Sequence, residues 1–283
     1  MDKINLYAFA DEASANIDEQ ILAMKRNALS GLEIRGVDGK NVSEISPEKA
    51  KEVKNKLDAN GLITWSVGSP IGKIGMEKEL FPDHLEKLKH TLEIANILES
   101  KNIRIFSFYI PKEQEYAAYK NEVIDRLGKM CEIAADYGVA LCHENEKGIY
   151  GDLPERCLEL HRALPELKGI FDPANFVQCG ADTLKAWGML QEYIFYMHIK
   201  DSLADGTVVP AGKGAGNVAA IVKEFLAKGG KDFTIEPHLT VFEGFSHLER
   251  KGEQSGINEF GFPDSNTAFN AACDALKAII VKE

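Results

Sequence analysis

The chain has 283 residues, of which 45% are hydrophobic and 27% are charged, and its formal net charge is −11 at pH 7. This composition is typical of a soluble globular protein, and the negative charge argues against a general nucleic-acid surface, which would need a basic stripe. No apolar run is long enough to cross a bilayer, and the first residues lack the basic and apolar regions of a signal peptide. The five cysteines form no CxxC pair, so we expect reduced core thiols in a cytoplasmic protein without a membrane partner.

Strand-like and helix-like segments alternate along the chain. The predicted strands are Ile4–Phe9, Leu32–Val37, Leu62–Val67, Ile103–Tyr109, Val139–Glu144, Gly169–Asp172, Ile194–Lys200 and Phe233–Glu236. The amphipathic runs between and after them predict helices at Ile17–Leu29, Pro47–Asn60, His84–Leu98, Glu122–Tyr137, Pro154–Leu164, Asp182–Leu190, Val218–Lys228 and Thr267–Val281.

This alternation predicts a parallel sheet of the α/β class, and the number of units favours a (β/α)8 TIM barrel. A doubly wound sheet is the alternative, but no Gly-rich dinucleotide loop follows an early strand. No linker-like segment divides the chain, so we expect one domain over residues 1–283. The long connections Gly68–Pro82 and Glu243–Asn266 would leave the C-terminal ends of the third and eighth strands, where barrels place their active sites.

Four apolar runs end in a residue that can bind a metal, namely Glu144, Asp172, His198 and Glu236. Side chains alternate between the two faces of a strand, and this parity places all four on the inward face and leaves His143 outside. Each residue alone could instead be a loop cap, an ion-pair partner or a core histidine. Three carboxylates at one barrel mouth would repel one another, however, and a divalent cation relieves that repulsion. The donor set favours Mn²⁺, Mg²⁺ or Co²⁺ and is also compatible with Zn²⁺.

These residues lie in four short motifs: Glu144-Asn145, Asp172-Pro173-Ala174-Asn175, His198-Ile199-Lys200-Asp201 and Ile235-Glu236-Pro237-His238. The chain thereby resembles the xylose isomerase-like superfamily of sugar phosphate isomerases and epimerases. Epimerases of that superfamily carry a Glu, Asp, His, Glu metal site on strands five to eight. Two departures are Asn175, where many epimerases have histidine, and Lys200, where many have arginine.

The resemblance implies a metal-dependent isomerase or epimerase for a sugar or sugar phosphate. The metal would bind a carbonyl and a neighbouring hydroxyl and stabilise an enediolate, while Glu144 and Glu236 remove and return a proton. Expulsion of a β-hydroxyl would make the protein a dehydratase or lyase of the inosose dehydratase type. A non-catalytic sugar-binding barrel and an endonuclease IV-like hydrolase are further alternatives. The hydrolase would need several more histidines, including some near strands three and four, where the chain has Ser66–Gly68 and Phe106–Phe108. A homo-oligomer is expected by analogy alone.

Four residues are predicted substrate contacts: Asn175, Lys200, His238 and Lys73. Lys200 could instead pair with Asp201 or another acid at the rim, Lys73 could be a solvated loop lysine, and His238 could be structural.

Three further predictions concern the surroundings of the site. Glu146 shares the parity of Glu144 and is the alternative ligand at that strand, although a loop acid is favoured. Residues 212–216 contain three glycines before a helix and could hold an anion on backbone N–H groups, or form a simple flexible loop. Glu33 and Arg35 share the inward face of the second strand and are predicted to pair with each other.

Overall fold

The computed structural model describes residues 3–242 and 261–281. Eight parallel strands close into a barrel, in which each strand pairs with the next in the chain and the last returns to the first. The strands are β1 Asn5–Ala8, β2 Gly31–Ile34, β3 Ile63–Val67, β4 Asn102–Ile105, β5 Ala140–Glu144, β6 Lys168–Phe171, β7 Ile194–Ile199 and β8 Asp232–Ile235. The predicted (β/α)8 barrel is therefore confirmed.

Helices surround this barrel. They are α1 Ile17–Arg26, α2 Pro47–Ala59, α3 Leu80–Ile97, α4 Lys120–Asp136, α5 Pro154–Ala163, α6 Pro173–Gln178, α7 Thr183–Leu190, α8 Val218–Ala227 and α9 Ser265–Val281. The sequence pattern missed α6, because six residues are too few to show a helical period. Polar side chains cap the N-termini of several helices. The Asn16 side chain accepts hydrogen bonds from the backbone N–H groups of Asp18 and Glu19 in α1, and the Ser46 side chain accepts one from Lys49 in α2.

Strands β2 and β4 end three and four residues earlier than predicted, because the residues that follow them pair with other segments. After β2 the chain forms a small antiparallel hairpin between Gly36–Val37 and Lys40–Asn41. After β4 it bonds to the loop that follows β3, since the Phe106 N–H donates to Ile71 O at 2.8 Å and the Phe108 N–H donates to Gly72 O at 3.0 Å. The loops above β3 and β4 are thus joined by main-chain hydrogen bonds at the end of the barrel where the site lies.

The loop after β3, predicted to lie at the active-site end of the barrel, turns at Gly72. Its φ of +90° favours glycine, and a side chain there would collide with the backbone of Phe106. The Gly72 N–H donates to His84 Nε2 at 2.7 Å, which fixes the imidazole as an acceptor. Residues 243–260 of the other long connection lie outside the described part of the chain.

We expect His84 to make the protein less stable in mild acid. Burial, with a smaller effect of Lys87, lowers the pKa of His84 to about 4. The folded state therefore requires the neutral imidazole, so this stabilisation is complete above the unfolded pKa of about 6.5 and is lost as the pH falls towards about 4. In urea unfolding, the stability difference between wild type and His84→Phe should shrink by about 2 kcal/mol between pH 7 and pH 5. A difference that does not change with pH would contradict this assignment.

The N-terminal half of the barrel interior is filled by aromatic and apolar side chains. Trp65 stacks on Tyr7, with their ring centroids 4.8 Å apart, and packs with Cys142, Ile170 and Tyr196. This packing closes the interior below the polar residues at the C-terminal end.

All five cysteines are free thiols, and four of them are buried. Within residues 3–242 and 261–281, no helix combines the length and the apolar character needed to span a membrane.

Candidate metal centre

Four buried side chains converge at the C-terminal end of the barrel. Glu144 ends β5, Asp172 follows β6, His198 lies on β7 and Glu236 follows β8, and each is at most 4% exposed. One ligand atom from each lies within 4.8 Å of the other three. The structure thus brings together the four residues predicted from parity, whereas His143 points outwards and lies 2.9 Å from Ser107 Oγ. Their role as metal ligands stays a prediction.

The imidazole of His198 is oriented by carboxylates on both sides. Its Nε2 lies 3.0 Å from Glu33 Oε2, and its Nδ1 lies 2.9 Å from Glu144 Oε1. Burial alone would lower the pKa of His198, but the carboxylates of Glu144 and Glu33 raise it to about 10. A histidine whose second nitrogen is held by a carboxylate is the usual arrangement at protein metal sites. Glu33 would therefore orient His198 with Nδ1 towards the ion.

The two oxygens of Asp172 have different surroundings. Oδ1 accepts the backbone N–H of Asn175 at 2.9 Å and caps α6. Oδ2 is buried, accepts no well-aligned hydrogen bond and lies 3.2 Å from Lys200 Nζ. Burial raises the pKa of Asp172 to about 7, opposed by Lys200 and reinforced by Glu236 and Glu144. A buried carboxylate oxygen turned towards three other ligands is a position that a divalent cation would satisfy, so the residues fit a metal.

The two glutamates face the site from its two sides. Glu144 turns Oε1 towards His198, and its Oε2 accepts a hydrogen bond from Arg104 Nη1 at 3.2 Å. Glu236 Oε2 lies 3.7 Å from His198 Nδ1, and its Oε1 accepts from Arg35 Nη1 at 3.4 Å. In each glutamate one oxygen faces the other candidate ligands and the second is bound by an arginine.

Lys200 lies inside the site. Its Nζ is 3.2 Å from Asp172 Oδ2 and 3.1 Å from Glu236 Oε2. Burial would lower the pKa of Lys200, but these carboxylates raise it above its ordinary value, so the lysine stays charged. Its acidic partners are therefore two candidate ligands rather than Asp201.

Asn175 also contacts the site directly. Its Nδ2 donates to Asn145 O at 2.8 Å and to Glu144 Oε1 at 3.4 Å. Asn145 in turn accepts the Asp172 N–H at 2.9 Å and donates to Asp172 O at 3.0 Å. These bonds join the ends of β5 and β6 and so fix the spacing between two of the candidate ligands.

The other two predicted substrate contacts lie around the four ligands. His238 donates its backbone N–H to Glu12 Oε2 at 2.6 Å, and its Nδ1 is 3.4 Å from Glu236 Oε1. Lys73 Nζ is 3.0 Å from Glu146 Oε2. Contact with substrate stays a prediction for Asn175, Lys200, His238 and Lys73. Glu146 pairs with Lys73 and is absent from the four-ligand group.

The predicted pair between Glu33 and Arg35 is wrong. Glu33 contacts His198 and accepts the hydroxyl of Tyr196 at 2.9 Å. Arg35 instead pairs with Asp11 at 2.8 Å and with Glu12 at 2.9 Å, besides its contact with Glu236. Arg35 follows the end of β2, so its side chain reaches the turn above β1 rather than the barrel interior.

The glycine-containing loop at residues 212–216 does bind an anion, but the anion belongs to the chain itself. The Asp201 carboxylate accepts four backbone N–H groups at 2.9 Å each, from Ser202, Gly212, Gly214 and Gly216. A side chain on Gly214 or Gly216 would collide with this carboxylate. The loop is therefore fixed beside Lys200, the residue that precedes Asp201, and its N–H groups are already used.

Sequence reasoning missed Arg104 and the acids of the β1 turn. Arg104 is 4% exposed and stands between Ile103 and Ile105 in an apolar strand. A charged residue on the inward face of such a strand was the available signal. Asp11 and Glu12 lie outside any strand and offered none. Glu12, Glu236 and His238 form a second group with ligand atoms within 4.8 Å, but Arg35 already neutralises two of its members.

Comparison with known proteins defines the family. The model of the xylose isomerase-like TIM barrel family matches residues 22–250. The chain belongs to this family. Curated proteins give no sequence match.

Several solved structures resemble this xylose isomerase-like barrel. The IolI protein with a bound zinc atom superposes with a TM-score of 0.76 at 15% identity, covering 99% of each chain. D-psicose 3-epimerase from Clostridium cellulolyticum H10, solved with D-tagatose, gives 0.73 at 14% identity, covering 98% of this chain and 99% of its own. The probable 3-DHS dehydratase AsbF from Bacillus anthracis gives 0.72 at 19% identity, covering 97% and 98%. At these identities the likeness establishes the fold.

Proposed function

We propose that the protein is a divalent-metal-dependent isomerase or epimerase that acts on a sugar or sugar phosphate. The observation that carries the proposal is the convergence of Glu144, Asp172, His198 and Glu236, with ligand atoms within 4.8 Å of one another. The family match supports it, as do similar structures that include a D-psicose 3-epimerase.

The same four residues would hold the ion, which is Mn²⁺, Mg²⁺, Co²⁺ or, as in the IolI structure, zinc. When bound, the ion would make the hydrogen next to a substrate carbonyl more acidic by withdrawing electron density. Asp172 and His198 serve only as ligands in this proposal, since Asp172 Oδ1 caps α6 and His198 Nε2 is held by Glu33.

Glu144 and Glu236 act as the acid/base pair. One glutamate accepts the proton when the C–H bond next to the carbonyl breaks, and the electron pair moves onto the carbonyl oxygen. Protonation from the other glutamate on the opposite face inverts that carbon. Protonation of the former carbonyl carbon, with transfer of the neighbouring hydroxyl proton to the former carbonyl oxygen, moves the carbonyl instead. Lys200, between Asp172 and Glu236, supplies a cation next to the developing negative charge.

A dehydratase is the second candidate, supported by the fold shared with the probable dehydratase AsbF. Elimination begins with the same proton removal, and then a β-hydroxyl leaves in place of reprotonation.

The test is incubation with Mn²⁺ and a panel of ketoses, ketose phosphates and cyclic polyol ketones in D₂O, followed by NMR. An epimer or isomer with deuterium at the reacting carbon supports the proposal, and an unsaturated product supports the dehydratase. Sugar binding without exchange would identify a non-catalytic barrel. Cleavage of abasic DNA in a parallel incubation would identify the hydrolase.

A further inference from the structure

Alternating cations and aromatic rings line the half of the barrel mouth that β1 to β4 form. In order they are Arg35, Phe9, Arg104, Phe106 and Lys73, and we call them the cation–aromatic row. Arg35 Cζ lies 4.4 Å from the centroid of the Phe9 ring, and Arg104 Cζ lies 4.9 Å from it. Arg104 Cζ is also 4.9 Å from the Phe106 ring, and Lys73 Nζ is 4.4 Å from that ring. Each ring thus lies between two cations at distances where cation–π attraction is effective.

Every cation of the row also pairs with a carboxylate from the opposite half of the mouth. Arg35 contacts Glu236 at 3.4 Å, and Arg104 contacts Glu144 at 3.2 Å. Lys73 contacts Glu146, two residues after Glu144, at 3.0 Å. The row therefore contacts both acid/base glutamates from the half of the mouth formed by β1 to β4, where none of the four candidate ligands lies.

Arg104 is the central member of the row. Its Nη2 donates to the carbonyl oxygens of Gly68 at 3.2 Å and Ser69 at 3.4 Å, so the guanidinium is anchored to the loop after β3. Its Nη1 donates to Glu144 Oε2. With Oε2 held in this way, the Glu144 carboxylate can turn only by breaking a buried, charge-assisted bond.

We propose that Arg104 is a positioning residue for Glu144, and that the cation–aromatic row sets the orientation of both acid/base glutamates. Arg104 holds Oε2, so Oε1 faces His198 and the other candidate ligands. The catalytic meaning of this role rests on the proposed function, whereas the contact between Arg104 and Glu144 does not.

Arg126 on α4 provides a matched control. It is equally buried, lies against the rings of Phe81 and Phe108 at 5.0 and 5.6 Å, and donates to Glu122 Oε1 at 2.6 Å and to Met76 O at 2.8 Å. Its surroundings match those of Arg104, but it contacts none of the four candidate ligands. A substitution there measures the loss of a buried, ring-stacked arginine without a change at Glu144.

The first experiment compares Arg104→Ala, Arg104→Lys and Arg126→Ala in the full chain. We expect Arg104→Ala to lower kcat for deuterium exchange by about 10²-fold, the scale of a misplaced catalytic group, with KM and Mn²⁺ affinity little changed. Added guanidinium chloride should restore part of this kcat, and Arg104→Lys, which keeps the charge and the fold, should retain an intermediate value. Arg126→Ala should keep wild-type kcat and show no response to guanidinium. Equal losses in both alanine variants, or weakened Mn²⁺ binding as the main effect of Arg104→Ala, would overturn the proposal.

The second experiment does not depend on activity. Urea unfolding midpoints of the metal-free protein are measured for Arg104→Ala, Glu144→Ala and the double variant. We expect the double variant to shift by less than the sum of the single shifts, and the corresponding cycle of Arg126 with Glu144 to be additive. Additive shifts for Arg104 and Glu144 would refute the contact even if no substrate had been found. A coupled pair in a protein without exchange activity would retain the contact and reject the proposed function instead.

Discussion

Glu144→Gln and Glu236→Gln should each lower deuterium exchange into bound substrate by about 10³-fold, within the usual range for loss of a general acid or base. Glutamine preserves the size of the side chain and an oxygen for the arginine bond, but it cannot accept a proton at neutral pH. Exchange at the reacting carbon would be followed by NMR in D₂O with saturating Mn²⁺, and circular dichroism would verify the fold.

Asp232→Asn is the control for these variants. Asp232 begins β8, at the opposite end of the strand from Glu236, and its carboxylate accepts hydrogen bonds from Asn5 and Tyr7. Asparagine can keep an acceptor oxygen there, so exchange should stay near the wild-type rate. Undiminished exchange in either glutamine variant would remove that glutamate from its role.

Removal of divalent metal should abolish exchange and lower the thermal stability of the protein. Glu144, Asp172 and Glu236 are buried together, and a divalent cation that binds only the folded state would stabilise it by about 2.7 kcal/mol at a free concentration of 100 times its Kd. Protein dialysed against a chelator would be titrated with MnCl₂, MgCl₂, CoCl₂ and ZnCl₂ and followed by calorimetry and by exchange.

Asp172→Asn separates a specific site from general ion binding. The substitution removes the negative charge of a carboxylate whose Oδ2 accepts no well-aligned hydrogen bond. The metal-free variant should therefore be at least as stable as the metal-free wild type, and the stabilisation by metal should largely disappear. Full exchange activity in chelated protein, or equal metal-induced shifts in wild type and variant, would contradict the site.

Local sequence patterns predicted much of this site. Strand parity is a local property, so with a barrel predicted it distinguished Glu144 from His143 and placed His198 on the inward face. The ends of β2 and β4 were less predictable. The residues that follow β2 pair in a hairpin, and those that follow β4 bond to the loop after β3.

Contacts across the barrel could not be read from the sequence. Glu33 and His198 are 165 positions apart, and their contact depends on how the strands are staggered, including an irregular register between Leu32 and Glu33. The sequence predicted a pair between Arg35 and Glu33 because the two residues share a face. Arg35 lies beyond the end of β2, however, and its side chain therefore meets other partners. Arg104 was overlooked because its partner Glu144 belongs to the neighbouring strand.

The contact between Glu33 and His198 also constrains the order of events during synthesis. Glu33 is made early, but His198 and Glu236 follow only with the last two strands, and β8 must pair with β1 before the barrel closes. A nascent chain therefore carries its site carboxylates unassembled until nearly all of the barrel has left the ribosome. Because the four candidate ligands lie in the second half of the chain, a metal ion held by them would stabilise the barrel only after that half has been made.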